Sequence, residues 1–233
     1  MIEDLKNRAV LITGASTGIG AAAAIAFGRN GARVGVHYNR SRKEAEKVAA
    51  DIEKAGGKAF LVGGDVTQSS ACREVVDKTA AEFGRLDVLI NNAGGLVQRV
   101  PIETVTDELF DQVLHLNVRS ALVCTAAAVP HLRKAGGGSV INVTSVAARH
   151  GGGGGAVLYA GAKGFVSTAT RGLAKELVKD KIRVNAVAPG VITTPFHERY
   201  STPQMLEGFK ATIPMSRIGA PEREGAAVWF VCS

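Results

Sequence analysis

Short β-branched runs alternate with longer stretches of helical periodicity along the whole chain. Ala9-Val10-Leu11-Ile12-Thr13 reads as a buried strand, followed by an alanine-rich helix from Ile19 to Arg29. Arg33 to His37, Ala59-Phe60-Leu61-Val62, Leu86 to Ile90, Ser139 to Val143 and Ile182 to Val187 bring the predicted strands to six. Helices are predicted between them, at about Ser41 to Ala55, Gln68 to Phe83, Asp107 to Lys134 and Ala156 to Lys179. This alternation predicts an α/β, doubly wound parallel sheet of six to seven strands, covered by helices on both faces through right-handed crossovers. No linker or short repeat interrupts residues 1–233, so one domain is expected. In such a sheet ligands bind beyond the carboxyl ends of the strands, and the residues just after each strand are the ones to read.

The composition narrows the functional classes. Hydrophobic residues make up 46% of the 233 and charged residues 21%, as in ordinary globular proteins. No apolar run reaches the ~18 residues that span a bilayer. The charged start, Met1 to Arg8, lacks the apolar stretch of a signal peptide, so a cytoplasmic protein is expected. Cys72, Cys124 and Cys232 are odd in number and widely spaced, which favours reduced thiols over disulfides. The five histidines show no ligand spacing either, and no metal site is expected. The net charge of +7 is scattered and accompanies no nucleic-acid motif. It reads as a solvated surface, or as attraction for an acidic partner or phosphate-bearing ligands.

After the first strand stands Thr13-Gly14-Ala15-Ser16-Thr17-Gly18-Ile19-Gly20, a Gly-x-x-x-Gly-x-Gly spacing. Glycines there allow positive φ and bring backbone N–H groups close to a pyrophosphate at a helix N-terminus. The second strand runs into Tyr38-Asn39-Arg40-Ser41-Arg42 without the acidic residue that would grip the adenosine ribose of NAD. Tyr38 takes that place, and a guanidinium from Arg40 pairs well with a 2′-phosphate, so NADP is expected over NAD. Arg42 reads equally as the start of a solvated helix. Asp65-Val66 and Asn91-Asn92-Ala93-Gly94 follow the third and fourth strands, where adenine, ribose or neighbouring backbone would lie.

Tyr159 and Lys163 are four apart and share a helix face, which lets an ammonium sit beneath a phenol. A phenol titrates near ~10, and a cation held close pulls that toward working pH. Ser145, fourteen residues earlier, offers a hydroxyl to hold a substrate carbonyl in register.

Taken in order, Thr-Gly-x-x-x-Gly-Ile-Gly at 13–20, Asp65-Val66, Asn91-Asn92-Ala93-Gly94, Asn117, Ser145, Tyr159-x-x-x-Lys163 and Asn185…Pro189-Gly190 resemble the short-chain dehydrogenase/reductase family. The resemblance runs from about residue 8 to residue 233, in the compact single-domain branch nearest the 3-oxoacyl-acyl-carrier-protein reductases. It implies that Tyr159 is acid in carbonyl reduction and base in alcohol oxidation, with no metal. Lys163 then lowers the tyrosine pKa and holds the nicotinamide ribose, and Ser145 polarises the substrate oxygen. Asn117 anchors a water that links Lys163 to solvent, although an asparagine there could simply cap a helix kink. Gly14, Ser16, Thr17, Gly18, Ile19 and Gly20 form the pyrophosphate turn, and Asp65 and Val66 the adenine contact. Asn91, Ala93 and Gly94 line the cleft, and Pro189, Gly190, Ile192 and Thr194 the loop over the nicotinamide. A homotetramer or homodimer is also implied.

Two features depart from that pattern. Gly151 to Gly155 is an unbroken glycine run before Tyr159, expected to leave one wall of the pocket without side chains and mobile. The chain stops at Val231-Cys232-Ser233, short of the loop and seventh strand that relatives carry: it is either incomplete or lacks that edge. Substrate-facing segments are Gly94 to Arg99, Ala147 to Val157 and a helical lid from Phe196 to Pro214, with Arg99, His150, His197, Glu198, Arg199 and Tyr200 as their polar groups. The leading expectation is an NADP-dependent reductase of a 3-oxoacyl thioester. Arg133, Lys134 and Lys175 are either contacts for an acidic carrier protein or ordinary surface charges. A sugar or polyol dehydrogenase on the same scaffold is the second enzyme reading, and a catalytically silent nucleotide-binding sensor the non-enzyme one.

Overall fold

The computed structural model describes residues 5–232, so the outermost residues of the charged start and of the chain end, 1–4 and 233, lie outside the described residues. The chain runs β1 (Ala9–Ile12), α1 (Gly18–Arg29), β2 (Arg33–Tyr38), α2 (Arg42–Lys54), β3 (Lys58–Gly63), α3 (Ser69–Phe83) and β4 (Val88–Asn91). Then α4 (Asp107–Leu114) passes through a π-helical turn at His115–Arg119 into α5 (Ser120–Lys134). The rest is β5 (Gly138–Val143), α6 (Ala147–His150), α7 (Val157–Leu177), β6 (Ile182–Val187), α8 (Pro195–Tyr200), α9 (Pro203–Thr212) and α10 (Pro221–Cys232).

The described strands form one six-stranded sheet in the order β3-β2-β1-β4-β5-β6, with every neighbouring pair parallel. β1 and β4 are buried along their whole length, as continuous apolar runs require of central strands covered on both faces, whereas β3 at the edge begins and ends exposed. One face packs Phe27 of α1, Val48 and Ile52 of α2, and Val228 of α10 against Val10, Ile12, Val34 and Ile90. The other packs Val75 and Val76 of α3, Cys124 and Leu132 of α5, and Leu177 of α7 against Leu11, Leu89 and Val140.

The strand order reverses between β1 and β4, so the crevice at the carboxyl ends of these two strands is where a ligand fits this topology. The predicted strands and helices stand within about two residues of their expected ends, with four differences, one of them α10, for which no helix is expected. The helix over 107–134 is continuous but carries the π turn, because the Asn117 side chain donates to the Val113 carbonyl at 2.9 Å and so takes part in the helical ladder. This stretch has the length and hydropathy of a membrane span, yet Ala121, Cys124, Ala128 and Leu132 are buried in the core. The predicted lid is two helices, since Pro203 starts α9 and Thr202 caps it by accepting from the Met205 N–H at 3.2 Å. The short α6, between Ser145 and the glycine run, has no counterpart in the hydrophobic pattern.

Candidate active site

Beyond β1 the chain turns with Gly14 at φ 63° and Gly18 at φ 58°, a conformation that side chains strongly disfavour. Thr17 precedes α1 in extended conformation without its side chain capping the helix, which leaves first-turn N–H groups for an anion. Two side chains pin this turn to the end of β4. The Thr13 hydroxyl oxygen accepts from the N–H groups of Asn92 and Ala93, each at 3.0 Å, and the Asn92 amide donates to the Thr13 and Gly14 carbonyls, each at 2.9 Å. A Cβ on Gly20 would overlap the Gly14 carbonyl and the Asn92 amide, so Gly20 lets α1 approach that junction. Ser16 and Ser41 share a hydroxyl–hydroxyl hydrogen bond of 2.7 Å, joining the turn to the start of α2. Ile19 is half-buried and packs on the core.

His37 also belongs to this turn, a placement that ligand spacing gave no reason to expect. It is buried, with Nδ1 accepting from the Gly14 N–H at 2.9 Å and Nε2 3.0 Å from the Gly64 carbonyl. Those two partners require the neutral tautomer with hydrogen on Nε2. Burial pushes its pKa below the ordinary value, only partly offset by Gly64 and Asp65, so the ring stays neutral and the clasp intact. The only signal in the sequence is a polar residue in the interior of an otherwise apolar strand.

At the end of β2, Tyr38 is half-buried and Asn39 and Arg40 are exposed. Arg42 is drawn into its own helix by an ion pair with Glu46 at 2.9 Å, while Arg40 makes no bond within the described residues. Asp65 Oδ1 accepts from the Thr67 N–H at 3.0 Å and hydroxyl at 2.8 Å, which fixes the turn after β3. Val66 is turned inward and packs in the core. Asn91 is buried as well: its amide donates to Thr125 Oγ1 and Asn142 Oδ1, both at 2.9 Å, so its side chain serves the sheet interior and only its backbone borders the cleft.

The chemically active groups converge where β4, β5 and α7 meet. Ser145 is half-buried after β5, its Oγ accepts from the Ala147 N–H at 3.1 Å, and its hydroxyl is near enough to the Tyr159 phenol to favour the phenolate. Lys163 is buried, its Nζ donates to the Val143 carbonyl at 2.8 Å, and it stands 5.8 Å from the centre of the Tyr159 ring. Gly94, exposed in the cleft, faces both Lys163 and Asn117: a Cβ there would lie 2.9 Å from the Lys163 Nζ and 2.8 Å from the Asn117 Oδ1. Asn117 itself is buried and clasps Gly95, accepting from its N–H at 3.1 Å and donating to its carbonyl at 2.8 Å. Its side chain therefore secures both the helix turn and the cleft wall.

Electrostatics here differ from the expectation that Lys163 pulls the phenol toward neutral pH. Burial pushes Tyr159 above its ordinary pKa, and the Ser145 hydrogen bond only partly opposes this. Burial also pushes Lys163 down, to about 8. The ammonium is committed to Val143, and burial of the phenol, with the Phe196 ring among its neighbours at 5.6 Å centre to centre, wins.

The loop after β6 closes the other side. Pro189 is buried with its carbonyl accepting from the Val146 N–H at 2.9 Å, Gly190 is exposed, Ile192 is buried, and Thr194 is 3.3 Å from a Cβ built on Gly18. Sixteen residues of α7 separate Tyr159 from Lys175, a rise of about 24 Å, which puts Lys175 toward the opposite end of the sheet. Arg133 and Lys134 end α5 at that same far side, and Arg133 is paired with Asp180 at 2.7 Å. These three cations are thus not grouped with the site.

Comparison with known proteins agrees with this geometry. Residues 8–204 match the short chain dehydrogenase family. An uncharacterized oxidoreductase of Methylorubrum extorquens is 40% identical over 231 residues, covering 98% of this chain and 92% of that protein. An NADH-dependent reductase responsible for alginate metabolism is 37% identical with a TM-score of 0.91, covering 100% of this chain and 92% of the other. A short chain dehydrogenase of Burkholderia cenocepacia, solved in complex with NADP, is 32% identical with a TM-score of 0.90, covering 98% and 91%. A turn shaped for a pyrophosphate, a hydroxyl pair beside a buried lysine and these matches have one common explanation: the chain belongs to the short-chain dehydrogenase/reductase family, oxidoreductases that act on a carbonyl or alcohol with a nicotinamide cofactor.

Proposed function

We propose that this protein reduces a small carbonyl compound with NADPH, with Tyr159 as the proton donor. The observation that carries the reading is the buried Lys163, with no carboxylate partner among the described residues, set beside Tyr159 with Ser145 close to its phenol, and facing the open cleft at Gly94. A buried cation without a counter-ion is costly, and such costs concentrate where chemistry needs them.

When bound, a nicotinamide dinucleotide supplies the hydride. The Gly14 to Gly20 turn, with Ser16, Thr17, Gly18 and Ile19, holds its pyrophosphate. Tyr38, Asn39 and Arg40 flank the adenosine ribose, and Asp65 and Val66 border the adenine through their turn. Asn91, Ala93 and Gly94 offer backbone along the ribose side, and Pro189, Gly190, Ile192 and Thr194 lie against the nicotinamide. Ser145 and Tyr159 donate to one substrate oxygen, and Tyr159 gives up its proton as charge develops there, an assistance of about 10²–10⁴-fold in rate. Lys163, which faces the open cleft at Gly94, would hold the nicotinamide ribose there and supply the cation that stabilises the phenolate that remains. Asn117 keeps that wall in place.

NADP is favoured because Arg40 is exposed and unpartnered at the end of β2, where no carboxylate repels a 2′-phosphate. For the substrate, the distant Arg133, Lys134 and Lys175 weaken the carrier-bound 3-oxoacyl thioester. The alginate-metabolising relative favours a sugar-derived carbonyl. Self-association fits the groove of Leu122, Val129 and Leu173 between α5 and α7, with Phe165 also exposed on α7, as a face for a second copy.

The test is a screen of sugar-derived aldehydes and ketones beside acetoacetyl-coenzyme A, following nicotinamide absorbance with NADPH and NADH in parallel. Arg40→Ala should weaken NADPH by about 10-fold or more, the worth of a charged hydrogen bond, and leave NADH unchanged. Equal losses for both cofactors would remove Arg40 from 2′-phosphate recognition, and turnover of the thioester alone would reverse the substrate preference.

A further inference from the structure

We propose that Arg99 is a positioning residue that latches the lid to the glycine run, and so holds Phe196 against the Tyr159 ring. The inference rests on the reductase reading for its kinetic consequence, but the latch itself is a property of the fold.

Three segments wall the space in front of Tyr159: residues 92–100, the glycine run and α8–α9. Arg99 joins them through one guanidinium. Its Nε donates to the Tyr200 carbonyl in the last turn of α8, and its Nη1 donates to the Gly154 carbonyl, both at 2.8 Å. These charge-assisted bonds reach backbone oxygens 101 and 55 residues away in sequence. The neighbouring Val100 N–H also donates to the Gly155 carbonyl at 3.3 Å. Gly155 stands at φ 71°, and a Cβ there would come within 2.9 Å of the Val100 nitrogen. The glycine run is therefore pinned at its end, and glycine is what allows the pinning.

The backbone delivering Arg99 is strained. Val97 has φ 66° and the Gln98 N–H donates to the Leu96 carbonyl at 2.8 Å, a γ-turn with a β-branched residue in the left-handed region. Strain of this kind persists where the surroundings over-determine it, and here it aims the next side chain but one at the lid. On the lid, Phe196 lies 5.0 Å from Tyr200 and 5.6 Å from Tyr159, ring centre to ring centre. The carbonyl that Arg99 grips and the ring that packs against Tyr159 thus sit on the same short helix.

Amide hydrogen exchange on the whole protein, without substrate, reads the latch directly. Arg99→Met should raise exchange across 195–212 and 151–155 together by about tenfold, and Arg99→Lys, which keeps a charged donor, should recover part of the protection. With the panel carbonyl that the wild type turns over fastest, Arg99→Met should raise KM by about tenfold while kcat moves less than threefold and dinucleotide affinity holds. Unchanged exchange in 195–212, or loosening of the lid without the glycine run, would overturn the latch. If the wild type turns over no panel carbonyl, the reductase reading fails, yet the exchange result still decides the latch.

Discussion

Two buried charges stand at opposite ends of the sheet: Asp87 just before β4, and Lys163 on α7 beside the carboxyl end of β5. Asp87 is surrounded by donors. Arg85 holds it through Nε at 2.9 Å, Arg8 reaches it at 3.0 Å, and the Ala9 N–H donates at 2.9 Å. Burial alone would raise its pKa, but these partners outweigh it and hold the carboxyl below its ordinary value. Lys163 has a single carbonyl, and burial pushes it down to about 8. A buried charge with a full set of partners locks strands together, whereas one left short of partners keeps its capacity for a ligand. The same fold closes one end of its sheet and leaves the other open.

Lys163→Met should break the pairing most sharply. Turnover should fall about 10²–10³-fold, because the phenolate loses its cation, while stability is unchanged or rises, since an apolar side chain of similar length fits a site that penalises charge. Steady-state kinetics with thermal melts on the same preparation check both halves. A variant that melts well below the wild type would mean that Lys163 is structural and that the contrast with Asp87 is mistaken.

Asp87→Asn should behave in the opposite way. Stability should drop by about 2 kcal/mol, less than the loss for a fully buried pair because both arginines are half-exposed, and turnover per folded molecule should not change. The sign with pH follows from the depressed folded pKa. The contribution is present above the unfolded value of 3.8 and is lost as pH falls through the lower folded value, so the gap between wild type and variant closes in acid. Urea melts from neutral pH downward would show it, and a gap that grows in acid would contradict the pairing.

How much of this could be read in the sequence depends on the range of the contact. β1 and β4 were legible because burial on both faces demands an unbroken apolar run, and Tyr159 with Lys163 because four residues is one helical turn. Ser145 was legible from order along the chain. Arg99 is legible as a pocket residue, but its partners at Gly154 and Tyr200 come together only when two loops and the helix α8 close on one another. Val66 and Asn91 show the converse: both stand at or just past strand ends where a ligand is expected, yet their side chains turn into the core, and a strand pattern does not say which way the residues at its end point. The raised pKa of Tyr159 is not legible in the sequence for a related reason, since its burial involves neighbours far along the chain, such as Phe196 on the lid 37 positions further on.

His37 sharpens the comparison from the other side, as a buried titratable group at the open end that stays neutral. Its folded pKa is lowered by burial, so below the ordinary 6.5 the unfolded chain takes a proton that the folded one resists. Stability should therefore fall as pH drops from 6.5 toward the folded value, and protonation would set an Nδ1–H against the Gly14 N–H that it now accepts. An asparagine at this position would retain a donor and an acceptor but cannot span Gly14 and Gly64 as the ring does. His37→Asn should thus cost about 1 kcal/mol at pH 7, the net worth of a hydrogen bond, with the gap to wild type narrowing by pH 5 because the variant has no proton to resist. Dinucleotide affinity should follow the same course, since Gly14 opens the pyrophosphate turn. Paired urea melts and cofactor titrations at the two pH values measure this. A gap that is the same at both would show that His37 does not resist protonation in the fold, and that the clasp on Gly14 does not depend on a neutral ring.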